Sequence, residues 1–182
     1  MDAAIGIGIL VVLGFLSLFT LPKKLSGAND SPANSPLVKS AKYPYSDLIN
    51  KWASKYGVDP DLVAAHAKVE TNFHPEKINE EDPALDYDSS YGIMQVQLAT
   101  AQDFGKVMSY RLASLAEIAW LMDVSNNIQV GAWNVARWQH KYLWDVAVQM
   151  YNVGENGYNN KGRRNAEYLR RVREAFNGYH KS

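Results

Sequence analysis

From Tyr45 to Phe176 apolar residues return every three or four positions, the spacing that stacks them on one face of an α-helix. The first such run, from Tyr45 or Ser46 to Tyr56, turns Leu48, Ile49, Trp52 and Tyr56 inward, and Gly57 is free to close it in the left-handed conformation. The second run opens with strong local signals. Asp59 stands in the capping position, Pro60 takes the first helical residue, where a missing N–H costs nothing, and Asp61 adds negative charge at the positive end of the dipole. Leu62, Ala65, Val69 and Phe73 then form a stripe, with Glu70 beside it at the C-terminal end. Later runs predict helices over Leu98–Phe104, ended by Gly105, and over Ser114–Met122, where Ser114 and Glu117 have capping-box spacing. A longer one spans Ser125 to Tyr142, with Ile128, Ala132, Val135 and Ala136 on a face widened by Trp133 and Trp138. A short helix through Val146, Ala147, Met150 and Tyr151 closes at Gly154 and Gly157. The last, Asn165–Phe176, ends at Gly178, with Tyr168, Leu169, Val172 and Phe176 on one side and Arg170, Arg171 and Arg173 off it.

No alternating run reaches strand length, so the class is all-α. The period fails between His74 and Ser90, where Pro75 and Pro83 break helices and Glu76, Glu80, Glu81, Asp82, Asp86 and Asp88 make the segment acidic. A loop or a small hairpin is expected there. Ahead of the helices, residues 3–21 carry no charge and are about long enough to cross a bilayer as one N-terminal transmembrane helix. A cleaved signal peptide, with Ser26 and Ala28 near its cleavage site, is the alternative, but only Asp2 and the amino terminus precede the apolar run. Ser, Asn, Pro, Gly and Ala dominate from Ser26 to Lys42. The chain therefore divides into an anchor with a basic flank (1–25), a flexible linker (26–42) and a helical domain (43–182). Lys23 and Lys24 favour a cytoplasmic location for the domain beyond the span.

Composition changes this picture little. Charges balance at 19 basic and 19 acidic residues, so no overall field draws the chain to nucleic acid, and without cysteine there is no disulfide framework and no thiolate metal site. The acidic segment lacks the spacing of an EF-hand, which makes it a solvated loop rather than a calcium site, and no metal is expected.

Chemistry enters at Glu70. A carboxylate at the border of a core tends to have a raised pKa, as a proton donor near neutrality needs; the plainer reading is a solvated helix-end glutamate. The segment Ser89-Ser90-Tyr91-Gly92-Ile93-Met94-Gln95-Val96 pairs a glycine that permits close approach with an amide able to donate and accept. Met150-Tyr151-Asn152-Val153-Gly154 adds a phenol and a second amide at a helix end, where plain capping would explain them equally well. Trp120, Trp133, Trp138 and Trp144 can stack on sugars, although tryptophans at helical spacing more often belong to a core.

Taken in order, Glu70-Thr71-Asn72-Phe73, Gly92-Ile93-Met94-Gln95 with Thr100-Ala101, Asn127-Ile128-Gln129-Val130-Gly131 and Met150-Tyr151-Asn152-Val153-Gly154 resemble the catalytic domain of soluble lytic transglycosylases. These are lysozyme-like enzymes that cut the glycan strands of bacterial peptidoglycan. The resemblance covers Tyr45 to about Phe176, and Tyr168 and Val172 match residues of the family's last helix. It implies a lysozyme-like helical fold and no cofactor. It makes Glu70 the acid at the bond between N-acetylmuramic acid and N-acetylglucosamine, then the base that closes a 1,6-anhydro ring without water. It places Gln95 and Tyr151 on the sugar or on Glu70, Thr71 in the position of a sugar-contacting serine, Met94 beneath the cleft, and Asn152 against the local backbone. Hydrolysis is the alternative, because the acidic loop lies where goose-type lysozymes, a related group, supply aspartates. Asp86 or Asp88 would then activate water from about 6.5–9.5 Å away. A third reading is a non-catalytic peptidoglycan-binding or virion structural protein. The expected partners are glycan strands, a lipid membrane through residues 3–21, and virion or envelope-complex proteins. The expected location is the bacterial envelope or the membrane of a membrane-containing bacteriophage, and the basic last helix suits anionic headgroups or peptide carboxylates, or is simply solvated.

Overall fold

A computed structural model of the chain describes residues 41–80, 88–107 and 114–181. The expected anchor at 3–21, nearly all of the linker, and Asp86 lie outside the described residues. Among the described residues no helix is long and apolar enough to cross a membrane.

Helix α1, Ser46–Tyr56, ends as its sequence predicts, with Gly57 at φ 66° donating its N–H to the carbonyls of Ala53 and Ser54. Helix α2, Pro60–Thr71, starts where the Asp59 carboxylate accepts from the N–H of Asp61 at 2.8 Å. Its burial differs from the single stripe expected. Every residue from Asp61 to Ala67 is buried, because α1, a later central helix and the last helix cover α2 from several sides. Ala64, Ala65 and Ala67 make this feasible, since short side chains let neighbouring helices approach closely. Its three buried polar residues have partners: Asp61 accepts from Lys42 Nζ at 2.9 Å, His66 Nδ1 shares a hydrogen bond with Tyr168 Oη at 2.8 Å, and Thr71 Oγ1 donates to the Ile93 carbonyl at 2.8 Å.

The hairpin expected in the acidic segment exists as β1, Ile78–Asn79, paired antiparallel with β2, Ser90–Tyr91. A third strand, β3, Val96–Gln97, pairs with β2 in the register Ser90↔Gln97 and Tyr91↔Val96. It was not expected, because two residues are too few to show a period.

Helix α3, Leu98–Val107, runs through Gly105 instead of stopping there, and α4 covers Ser114–Leu121. The central helix α5, Val124–Lys141, is capped by Asp123, whose carboxylate accepts from the N–H of Asn126 at 3.0 Å. Helix α6, Trp144–Asn159, breaks at Gly154 (φ 67°, ψ 164°), and α7, Ala166–His180, starts at the Asn165 cap and continues through Gly178. Glycine inside a helix costs about 1 kcal/mol. Packing of a neighbouring aromatic residue outweighs that at each site. Fully buried Phe104 holds α3 just before Gly105, and Tyr179, edge-on to Tyr43 at 5.1 Å between ring centres, holds α7 just after Gly178. One core joins α1, α2, α5 and α7, and Trp138, Ala147 and Met150 form a smaller cluster between α5 and α6.

Two glycines let α5 lie directly against the turn between β2 and β3. A Cβ on Gly92 would come within 2.5 Å of Asn127 Nδ2, and one on Gly131 within 2.3 Å of Met94 Sδ and 2.9 Å of Met94 Cβ. Since Met94 is fully buried, Gly131→Ala should lower stability by about 1–3 kcal/mol. In urea it should shift the unfolding midpoint down at unchanged slope; an unshifted midpoint would mean that the contact is looser than these distances.

Candidate active site

Helix α2 ends within one residue of its only glutamate. Asn72 caps it in the left-handed region at φ 55°, as asparagine tolerates, and Phe73 follows at φ 67°, which is strained for a bulky side chain. Buried Phe73 anchors this backward turn in the core. Gln95, in the facing turn, also has positive φ, at 48°. Backbone strain of this kind clusters at functional sites, where surrounding packing maintains it.

The Glu70 carboxyl is partly buried, and Tyr168 Oη, from α7, donates to its Oε1 at 2.6 Å. Burial pushes its pKa up from 4.5 to about 7, while the Tyr168 hydrogen bond and the Arg171 and Lys77 charges pull it part of the way back. Arg171 is held in place by donating to the Val69 carbonyl at 3.2 Å. Behind Tyr168 stands His66, whose buried ring has its pKa lowered to about 3 and so stays neutral. The Tyr151 ring lies 4.4 Å from the His66 ring, and burial, followed by the nearby Glu70 charge, raises the Tyr151 phenol well above its ordinary value.

The turn between β2 and β3 supplies the opposite side. Tyr151 Oη donates to the Met94 carbonyl at 2.8 Å, which ties α6 to this turn. The Gln95 amide donates to the carbonyls of Gly92 (2.9 Å) and Lys77 (3.1 Å) and accepts from Ser90 Oγ at 2.9 Å. Thr71 Oγ1 donates to the Ile93 carbonyl at 2.8 Å, so the hydroxyl next to Glu70 fastens α2 to the same turn. Asn127 completes the frame: its Oδ1 accepts from Met94 N–H, and its Nδ2 donates to the carbonyls of Tyr91 and Leu121.

A cleft of about 710 Å³ opens over Glu70, and Gln95, Tyr151, Asn152 and Asp88 also line it. Thr71 and Met94 do not: both are buried, with Met94 packed on Gly131. Asn152 Oδ1 accepts from Asn165 Nδ2 at 2.8 Å, which joins α6 to the α7 cap. Of the tryptophans only Trp138 reaches the cleft, with Arg137 over its ring at 4.2 Å; Trp120, Trp133 and Trp144 pack on the main core. Among the described residues no group of acids and histidines is arranged to hold a metal. The residues that support Glu70 most directly, Tyr168 and His66, were not picked out from sequence as site residues. A signal for the first existed in its match to the family's last helix; for the second, a histidine on the buried face one turn before the glutamate was the only hint.

Removing the Tyr168 hydroxyl takes away the largest influence that favours ionised Glu70. Tyr168→Phe should therefore raise the Glu70 pKa above about 7, as followed by carbon NMR of the carboxyl group. A pKa that stayed put or fell would contradict the assignment of this hydrogen bond.

Comparison with known proteins gives concordant matches. Residues 47–173 match the family described as the Transglycosylase SLT domain. The membrane-bound lytic murein transglycosylase C of Photorhabdus laumondii subsp. laumondii is 30% identical over 103 residues, 56% of this chain and 26% of that protein. The protein of the same name from Haemophilus ducreyi is 30% identical over 101 residues, 54% of this chain and 25% of that protein. The match thus spans about a quarter of the length of these relatives.

Proposed function

The chain belongs to the Transglycosylase SLT domain family, and on that premise we propose that it is a peptidoglycan lytic transglycosylase with Glu70 as its single acid and base. The observation that carries this reading is a partly buried carboxyl that lines a cleft and is held by Tyr168, where burial raises its pKa to about 7 and keeps both protonation states within reach at neutral pH. Protonated Glu70 gives its proton to the oxygen between N-acetylmuramic acid and N-acetylglucosamine, and that bond breaks with the muramic N-acetyl group assisting at C1. The resulting carboxylate takes the proton of the C6 hydroxyl as the C6 oxygen bonds to C1. A 1,6-anhydro ring forms, Glu70 is protonated again, and no water is consumed. Gln95, Tyr151 and Asn152 line the path of the glycan, while Thr71 and Met94 act from beneath as supports of the turn. Residues 3–21 anchor the domain beside the membrane on the linker 26–42, in keeping with relatives named as membrane-bound.

Incubating the chain with purified peptidoglycan tests the activity. Release of soluble glycan fragments is expected, and intact sacculi after prolonged incubation would refute it. One observation favours a second reading, hydrolysis: Asp88 lines the same cleft as Glu70. An inverting hydrolase needs such a second carboxylate, whereas the cyclisation does not.

A further inference from the structure

His66 lies on α2 one turn before Glu70 and is 1% exposed, yet the two proton transfers assigned to Glu70 make no use of it. Its Nδ1 is 2.8 Å from Tyr168 Oη, and that oxygen is 2.6 Å from Glu70 Oε1. Tyr168 therefore stands between two partners with a single hydrogen to give. Two arrangements satisfy all three groups. In the first, Tyr168 donates to Glu70 Oε1 and accepts from His66 Nδ1–H. In the second, Tyr168 donates to a bare Nδ1 and accepts from a proton on Glu70 Oε1. The second arrangement holds the proton of Glu70 against Tyr168, away from any substrate. The first uses Oε1 as an acceptor and so favours the proton on Oε2, which has no hydrogen-bond partner among the described residues.

The reaction selects the first, and the 2.6 Å distance is compatible with a hydroxyl donating to a carboxylate. Once Glu70 has given up its proton its carboxylate can only accept, so the Tyr168 hydrogen must point at it and the hydrogen between Tyr168 and His66 must come from Nδ1. Keeping that tautomer through the cycle spares the buried ring a rearrangement between the acid step and the base step. Burial keeps the ring neutral, so its tautomer is a real choice. The other groups facing this trio are the Tyr151 phenol, against the His66 ring, and the Arg171 and Lys77 cations, which favour ionised Glu70.

We propose that His66 is held as the Nδ1–H tautomer and, by orienting the Tyr168 hydroxyl, keeps the transferable proton of Glu70 on Oε2. His66 is then a positioning residue that acts through Tyr168, and its role rests on the transglycosylase reading. Nitrogen NMR of the histidine-labelled chain at neutral pH reads the tautomer directly, with the resonance assigned by its loss in His66→Asn. Protonated Nδ1 and bare Nε2 are expected; the reverse would overturn the inference, whatever the activity. In kinetics, His66→Leu should lower kcat about tenfold or more at nearly unchanged KM. It should also move the Glu70 limb of the pH profile upward, because Tyr168 loses the donor that polarises it. His66→Asn, which can place an amide N–H where Nδ1–H stood, should recover most of kcat and the original profile. Equal loss in both variants, or a wild-type kcat and profile for His66→Leu, would also overturn it. A chain that never cleaves peptidoglycan, yet shows the Nδ1–H tautomer, would defeat the reaction and leave the hydrogen-bond assignment standing.

Discussion

Glu70→Gln should lower glycan cleavage by at least about a thousandfold while the protein stays folded, because an amide of the same size can neither give nor take the proton that both steps require. Stability adds an independent check on the same side chain. Burial raises the folded-state pKa of Glu70 from 4.5 to about 7, so the folded protein holds this proton more tightly than the unfolded chain does. The stability tied to that proton is complete below about pH 4.5 and is lost as pH rises through about 7. Glutamine does not ionise and escapes the loss. Relative to wild type, Glu70→Gln should therefore gain stability across that interval and keep the gain above it. Urea unfolding below about pH 4.5 and above about pH 8 measures the difference. A variant with wild-type cleavage, or one whose relative stability falls with pH, is incompatible with a buried acid at this position.

The second large effect is structural and lies in α5. Asn127 is fully buried and satisfies the Met94 N–H and the carbonyls of Tyr91 and Leu121 with one side chain. Asn127→Ala leaves all three without their partner and should cost about 3 kcal/mol, at about 1 kcal/mol for each lost bond. The loss should reach the site as well. The turn fixed by Asn127 carries Gln95 and presents the Met94 carbonyl to Tyr151, so cleavage should fall even at temperatures where the variant is fully folded. Chemical unfolding together with an assay well below the midpoint separates the two effects; a cost under about 1 kcal/mol would show that water replaces the amide without difficulty.

Features set by local chemistry were legible in the sequence. The Asp59-Pro60 start of α2 and the Gly57 end of α1 depend on residues adjacent in the chain, and both are found where expected. Gly105 and Gly178 misled because the packing of Phe104 and Tyr179, which carries the helices through them, is tertiary. Strand β3 has two residues, too few to show alternation. Glu70 itself could be singled out at the edge of an apolar stripe, but not what surrounds it. Tyr168, its hydrogen-bond donor, is 98 residues further along, and only folding brings α7 beside α2. Thr71 was expected to face sugar, and its hydroxyl instead bonds the Ile93 carbonyl, a partner 22 residues away. Asp88 reaches the cleft wall, as a second carboxylate would have to, whereas Asp86 lies outside the described residues.

The most direct test of Glu70 as both acid and base is the mass of the product ends when the chain digests peptidoglycan in water enriched in heavy oxygen. Cyclisation predicts 1,6-anhydromuramic ends that contain no heavy oxygen. Reducing muramic ends that each carry one heavy oxygen would contradict the single-residue mechanism and assign the second step to water.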